Sequence, residues 1–434
     1  MQRYENDSGI SPSVGFSIDN SFGDIEIDAI LYDIKEANTS VTMMLNEGGS
    51  IVSISLHDGT VYFGACDHNL YAVDAASGNE KWRADLGGII TGSPIVHDNK
   101  IFAGSYDTKL YAISMDGEKL WTFKTNGRIC HSIAAFDGVV CVGSQDKCVY
   151  GIDMEGRLIW KFSTMGEIMD DIVISEGRLF FGSFDHNIYC IELKTGTLVW
   201  KFRTGNIAST HPCCHDGIVY AGSHDGCLYA IEAATGKLLW KHAANSAVRG
   251  CTFHDGMVYG MTRDNAVLAL RADDGKLLWR FTTNNFLRRG PEVYGGIAYF
   301  GCSDHNVYAL DAKTGEFLWK FSTGAYITSK VLMSGNMLYF GSFDCNLYCV
   351  DLSGKLILKF RTSMSNVATV DMALFESKKT AVLTSTSIED RKIETGVPDE
   401  EARDYGSLSG GYVSVGKADY ASSGKRNYVK KREF

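Results

Sequence analysis

The chain has 434 residues and a formal net charge of −10, with 42 basic residues against 52 acidic ones. That balance argues against a non-specific nucleic-acid binder, which is normally basic. No run of about 18 apolar residues occurs, so no membrane-spanning helix is expected.

In chain order, residues 1–48 form an N-terminal extension without internal repetition, in which Gly23 to Ile34 (GDIEIDAILYDI) can supply one or two strands. Its start, MQRYENDSGISPSVGFSIDN, has no basic segment followed by an apolar run. It reads as neither a signal peptide nor a lipoprotein signal, and the expected compartment is the cytoplasm. From 49 to 365 the chain repeats itself eight times at a step of 39 or 40 residues. The seven tryptophans, Trp82, Trp121, Trp160, Trp200, Trp240, Trp279 and Trp319, mark the step, and no other tryptophan exists. One unit, GIVYAGSHDGCLYAIEAATGKLLW from Gly217 to Trp240, parses as a strand, a turn around Asp225, a strand, a Thr-Gly turn and an outer strand. A further strand opens each unit. Four strands at this period predict an all-β fold, an eight-bladed β-propeller of four-stranded antiparallel blades with non-repeat N- and C-terminal extensions.

Three columns recur for physical reasons. An aspartate occupies the second hairpin of every unit (Asp67, Asp107, Asp146, Asp185, Asp225, Asp264, Asp304 and Asp344), where a short side chain can bond its own backbone. A structural role is the reading for all eight. A glycine stands four residues before each tryptophan and supplies the positive φ of a tight hairpin. A third column, including Gly64, Gly182 and Gly341, lies inside a strand three residues before the turn aspartate. Glycine weakens a strand, so another group must approach closely there; the expectation is the tryptophan of a neighbouring blade.

The stretches YAVDAASGNEKW (Tyr71 to Trp82), YAIEAATGKLLW (Tyr229 to Trp240) and YALDAKTGEFLW (Tyr308 to Trp319) resemble the tryptophan-docking repeat of pyrroloquinoline-quinone (PQQ) type propellers. That family includes quinoprotein alcohol dehydrogenases and the outer-membrane assembly lipoprotein of Gram-negative bacteria. The resemblance covers roughly residues 50 to 362 and implies the fold, whereas activity must come from a site. Two units depart from the pattern: the sixth has Met261 for the glycine and Leu268 for the tyrosine, and the eighth has Leu358 for the tryptophan. Residues 366–390 read as closure strands or an extra edge hairpin, and 391–434 as a flexible tail. In that tail Tyr412, Tyr420 and Tyr428 recur every eight residues, and six basic residues face two acidic ones from Lys417 onward. An arm that docks on an acidic partner or a sheet edge is the functional alternative to a solvated tail.

Where the innermost strand of each unit begins, the monotony ends. The first two units open with Ile51-Val52-Ser53 and Thr91-Gly92-Ser93, without ionisable groups. The next three carry Cys130-His131-Ser132, Met169-Asp170-Asp171 and Ser209-Thr210-His211. The last three carry Val248-Arg249-Gly250, Arg288-Arg289-Gly290 and Thr328-Ser329-Lys330. The register predicts convergence at one channel mouth, with Arg249, Arg288, Arg289 and Lys330 facing His131, Asp170, Asp171 and His211. Such a face suits a small anionic ligand or a peptide carboxylate; a wet mouth, or a purely structural Asp–Arg network, fits the same residues.

The resemblance raises a PQQ- and calcium-dependent dehydrogenase as an alternative, because such enzymes carry an adjacent-cysteine disulfide beside the quinone. Cys213-Cys214 matches this loosely. Adjacent strand residues point to opposite faces, so buried free thiols are expected, as for the other ten of the twelve cysteines. No zinc-ligand spacing, P-loop or nucleophile elbow is present, and no metal or cofactor is expected. The reading is a non-enzymatic platform for protein partners; a third alternative is a structural subunit held in a larger complex by its terminal arms.

Overall fold

The computed structural model describes residues 43–46, 49–208, 211–362 and 369–372. Blade 5 shows the plan: Cys213–His215, Ile218–Gly222, Cys227–Glu232 and Leu238–Ala243 pair in that order, all antiparallel. Seven further four-stranded sheets repeat it, over 51–85, 95–124, 133–163, 173–203, 248–282, 292–322 and 332–361. The protein is an eight-bladed β-propeller. The first hairpin is a two-residue turn with both residues at positive φ, as at Asp216 (46°) and Gly217 (70°), the twist that matches antiparallel strands.

The two middle strands are apolar and buried over their central residues because each blade is covered on both faces by its neighbours. Eight hydrophobic clusters result, one between each adjacent pair of blades. The last joins Tyr339, Leu347 and Cys349 of blade 8 to Ile51, Phe63 and Tyr71 of blade 1. Each sheet uses consecutive strands, so the ring closes through side chains and not through a strand exchanged between its ends. Ser50 Oγ donates to the Phe343 carbonyl (3.1 Å) and Thr362 Oγ1 to that of Gly49 (2.8 Å) across this seam.

Within segment 366–390 only Thr369–Met372 is described; it pairs antiparallel with Met43–Asn46 in a separate two-stranded sheet. The remaining expectations for 1–48, 366–390 and the tyrosine-repeat tail lie outside the described residues.

Each tryptophan docks on the next blade. Its indole N–H donates to a main-chain carbonyl there: Met115, Met154, Leu193, Ala233, Ala272, Ala312 and Leu352 accept in turn, at 2.7–3.0 Å. The ring lies on the turn glycine of that blade; a β-carbon at Gly117 would stand 2.7 Å from the Trp82 ring. Within its own sheet the tryptophan opposes a small residue at a β-bulge, Ala230 for Trp240 and Cys190 for Trp200. Cys190, and Cys349 opposite Leu358, thus fill places that hold alanine or glycine in the other blades.

This corrects one expectation. Tryptophan covers the turn glycine, whereas the strand-interior glycine accommodates the next blade's entry loop. Ile90 packs over Gly64 and Ile51 over Gly341, while a β-carbon at Gly182 would overlap the carbonyl oxygen of Ala208. Leu358, the eighth equivalent of tryptophan, packs on Gly78, and the carbonyl that an indole would reach, Ala75, accepts from the Tyr339 hydroxyl (2.9 Å). Ala312 accepts both an indole N–H (3.0 Å) and a tyrosine O–H (3.1 Å), so one carbonyl can serve two donors. Leu358→Trp is therefore expected to stabilise the closing seam by about 1 kcal/mol. A urea-unfolding midpoint that falls would contradict this account of closure.

Candidate functional site

The entry loops are placed by the turn aspartates. In seven blades a third-strand tyrosine donates its hydroxyl to the aspartate four residues earlier, at 2.5–2.7 Å. The other carboxylate oxygen accepts a main-chain N–H two residues on, from Asn187 to Asp185 for example (3.1 Å). The tyrosine-bound oxygen also receives the loop arriving from the previous blade: Asn126, Met165, Gly205 and Gly324 donate N–H to Asp146, Asp185, Asp225 and Asp344 at 2.7–3.0 Å. In blade 6, where Leu268 replaces tyrosine, Asp264 takes Thr262 Oγ1 and Arg280 Nη2, both at 2.5 Å. These carboxylates are consumed by structure.

The loops they hold carry the divergent residues to the ring's axis. Arg289, from the loop into blade 7, donates to Asp171 of blade 4 (2.5 Å), His211 of blade 5 (3.0 Å) and Ser53 of blade 1 (3.4 Å). Only a side chain crossing the axis can touch three such blades. Arg289 is 4% exposed, so its guanidinium is buried among these partners. The expected cationic and His/Asp arcs do not face one another across an open mouth, because Arg289 is inserted into the opposite arc.

His211 Nδ1 stands among Arg289 Nη1 (3.0 Å), the Asp171 main-chain N–H (3.3 Å) and the Asp171 carboxylate (3.2 Å). Its Nε2 lies 3.7 Å from Asp170. His131 stands edge-on to His211, with ring centroids 6.3 Å apart, and its Nδ1 is buried without a hydrogen-bond partner. Lys330 pairs with Glu292 at 2.9 Å. Arg288 lies over the Phe286 ring, 5.8 Å from its centre, and Arg249 offers its main-chain carbonyl to the His211 N–H (3.1 Å). Asp171, His211 and Arg289 thus form the nucleus, with His131 and Asp170 beside it.

Burial would raise the Asp171 pKa, but Arg289, then His211, outweigh it and hold the carboxyl well below its ordinary value. Burial lowers Lys330 and the carboxylates of Glu292 and Asp171 more than compensate, leaving it raised. For His131, burial and then the Arg289 charge push the pKa well below the usual histidine value.

Several groups at the site were not singled out from sequence: Glu292, Ser53 and an aromatic strip beside the mouth. Phe286 and Tyr326 have ring centroids 6.5 Å apart, and Tyr326 and Phe343 6.3 Å. All three are half-buried. The signal existed two residues before each triplet (one before it in blade 6), at Ile89, Arg128, Glu167, Ile207, Ala247, Phe286 and Tyr326, a column that also diversifies.

A family model described as "Outer membrane protein assembly factor BamB" matches residues 33–161, 115–209 and 184–391. The chain belongs to this family of PQQ-like β-propellers. Among solved structures, the computationally designed Ika8 protein is similar at TM-score 0.65 and 19% identity, covering 71% of this chain and 98% of that one. BamB from Moraxella catarrhalis is similar at TM-score 0.62 and 19% identity, over 72% and 99% of the two chains. Quinohemoprotein alcohol dehydrogenase ADHIIG from Pseudomonas putida is similar at 0.60 and 15%, over 71% and 75%. At these identities the likeness is one of fold. No curated protein sequence matches the chain.

Asp171→Asn strands a buried guanidinium without its counter-charge and is expected to cost about 3 kcal/mol, while the double variant Asp171→Asn/Arg289→Met recovers most of it. Urea unfolding of the four proteins in the cycle checks this. The pH dependence has a defined sign. Because His131 takes up a proton in the unfolded chain more readily than in the native one, stability falls as pH drops through the ordinary histidine value. Asp171, depressed in the native state, keeps contributing until pH falls below the ordinary carboxylate value. Melting temperatures from pH 8 to pH 5 should therefore decline in the native sequence and decline less in His131→Asn.

Proposed function

We propose that the protein is a non-enzymatic binding platform for protein partners and that it engages them with the entry-loop face. The observation that carries this reading is the half-buried strip Phe286–Tyr326–Phe343, flanked by Arg288 at the channel mouth. Aromatic and arginine side chains on a rigid base are the residue types that dominate protein interfaces. Membership of a family described by an assembly factor supports the same reading.

The dehydrogenase alternative rests on the fold shared with ADHIIG. The residues at the axis do not fit PQQ with calcium. Arg289 is already paired with Asp171, and no group of three or more metal-ligating side chains exists among the described residues. Cys213 and Cys214 pack into different inter-blade clusters, half-buried rather than buried as expected. A small anion drawn to Arg289 would have to displace Asp171, and the platform reading does not depend on such a ligand. Most of the twelve cysteines occupy strand positions that hold Ala, Ser or Val in other units, which supports small reduced thiols, and we propose the cytoplasm on that ground.

Partners retained from cell extract by the intact protein should be lost by about tenfold with Phe286→Ala or Tyr326→Ala. The rim control Leu318→Ala, at a side chain 44% exposed, should retain them. Equal retention by all three, or tight PQQ uptake with calcium accompanied by dye-linked alcohol oxidation, would overturn the platform reading.

A further inference from the structure

We propose that Cys213 and Cys251 form a redox-sensitive latch between blades 5 and 6, a site of reversible disulfide formation that is independent of the binding reading above. Their Sγ atoms stand 3.4 Å apart, with the Cys213 thiol directed at Cys251. The contact is built by the local sequence. Blade 6 opens with a seven-residue inner strand, Val248–His254, against three residues in blade 5. The extra length runs parallel to the chain at His211: His211 N–H donates to Arg249 and Cys251 N–H to His211, both at 3.1 Å. Gly250 permits this approach, since a β-carbon there would stand 3.2 Å from the His211 side chain. Main-chain pairing therefore holds the two sulfurs in van der Waals contact, the approach that disulfide closure starts from. Cys214 is excluded as partner because it packs on the opposite side of its strand, toward blade 4.

The oxidant class is a peroxide. Cys213, the more exposed of the two, attacks the O–O bond to give a sulfenic acid and water. The Cys251 sulfur then displaces hydroxide from that sulfur, and its proton leaves with the hydroxide as the second water. Two S–H bonds are lost, one S–S bond forms, and the peroxide is reduced. The hydrogen bond to Cys251 and then burial hold the Cys213 thiol well above its ordinary pKa, which slows the first step.

The test treats the full chain with hydrogen peroxide, blocks remaining thiols and maps peptides without reduction. A 213–251 link is expected, the thiol count in denaturant falling by two from twelve. The melting temperature should rise by several degrees and return with dithiothreitol. In Cys251→Ser the link should vanish and dimedone should trap Cys213; Cys213→Ser gives the same loss of link should the first variant fold poorly. Cys190→Ser should keep it. Twelve thiols retained, a 213–214 link or only inter-chain links would each overturn the proposal.

Discussion

Everything in this molecule hangs on one contact: an indole from each blade lying on a glycine of the next while its N–H reaches a carbonyl there. The hydrogen bond fixes distance and angle together, and the flat ring demands a partner with no β-carbon. Repeated seven times, it turns a generic hydrophobic seam into a hinge-free joint with one preferred rotation between blades. The eighth joint is made differently, by Leu358 and by Tyr339, and it is the joint that closes the ring. A closing seam must absorb whatever rotation the other seven leave over, and a leucine on a glycine is a less exacting contact than an indole.

The second constraint lies at the axis. A propeller brings eight loop ends together, and polar groups there are removed from bulk water without a hydrophobic partner. Arg289 resolves this by spanning the axis to Asp171, His211 and Ser53, which pairs the buried charges with one another. The same residues that look from the sequence like an open anion site are largely engaged with one another. The unspent chemistry sits elsewhere, in the aromatic strip at the mouth and in the thiol pair between blades 5 and 6.

The repeat made the architecture legible because propeller physics is local and periodic. A turn needs aspartate or glycine, an outer strand needs its indole, and a blade needs apolar residues on both faces; each demand recurs every 39 or 40 residues and can be seen by laying the chain on itself. Blade number, strand order and the convergence of His211, Asp171 and Arg289 follow from register alone. Which glycine lies under which side chain did not follow. Gly117 and Gly104 stand in columns that hold glycine in eight and in seven of the eight units, and only the pitch between blades decides that Trp82 covers the first and Ile129 the second.

What the sequence by itself determined, then, is the module and the list of side chains delivered to the mouth, because both depend on contacts within one unit or on counting residues. What the tertiary structure decided is pairing across units: Arg289 with Asp171, Cys213 with Cys251, Lys330 with Glu292. Those partners are 118, 38 and 38 residues apart. No local rule links positions so separated. Their meeting is set by the rotation that each indole joint imposes, summed around a ring that has to close.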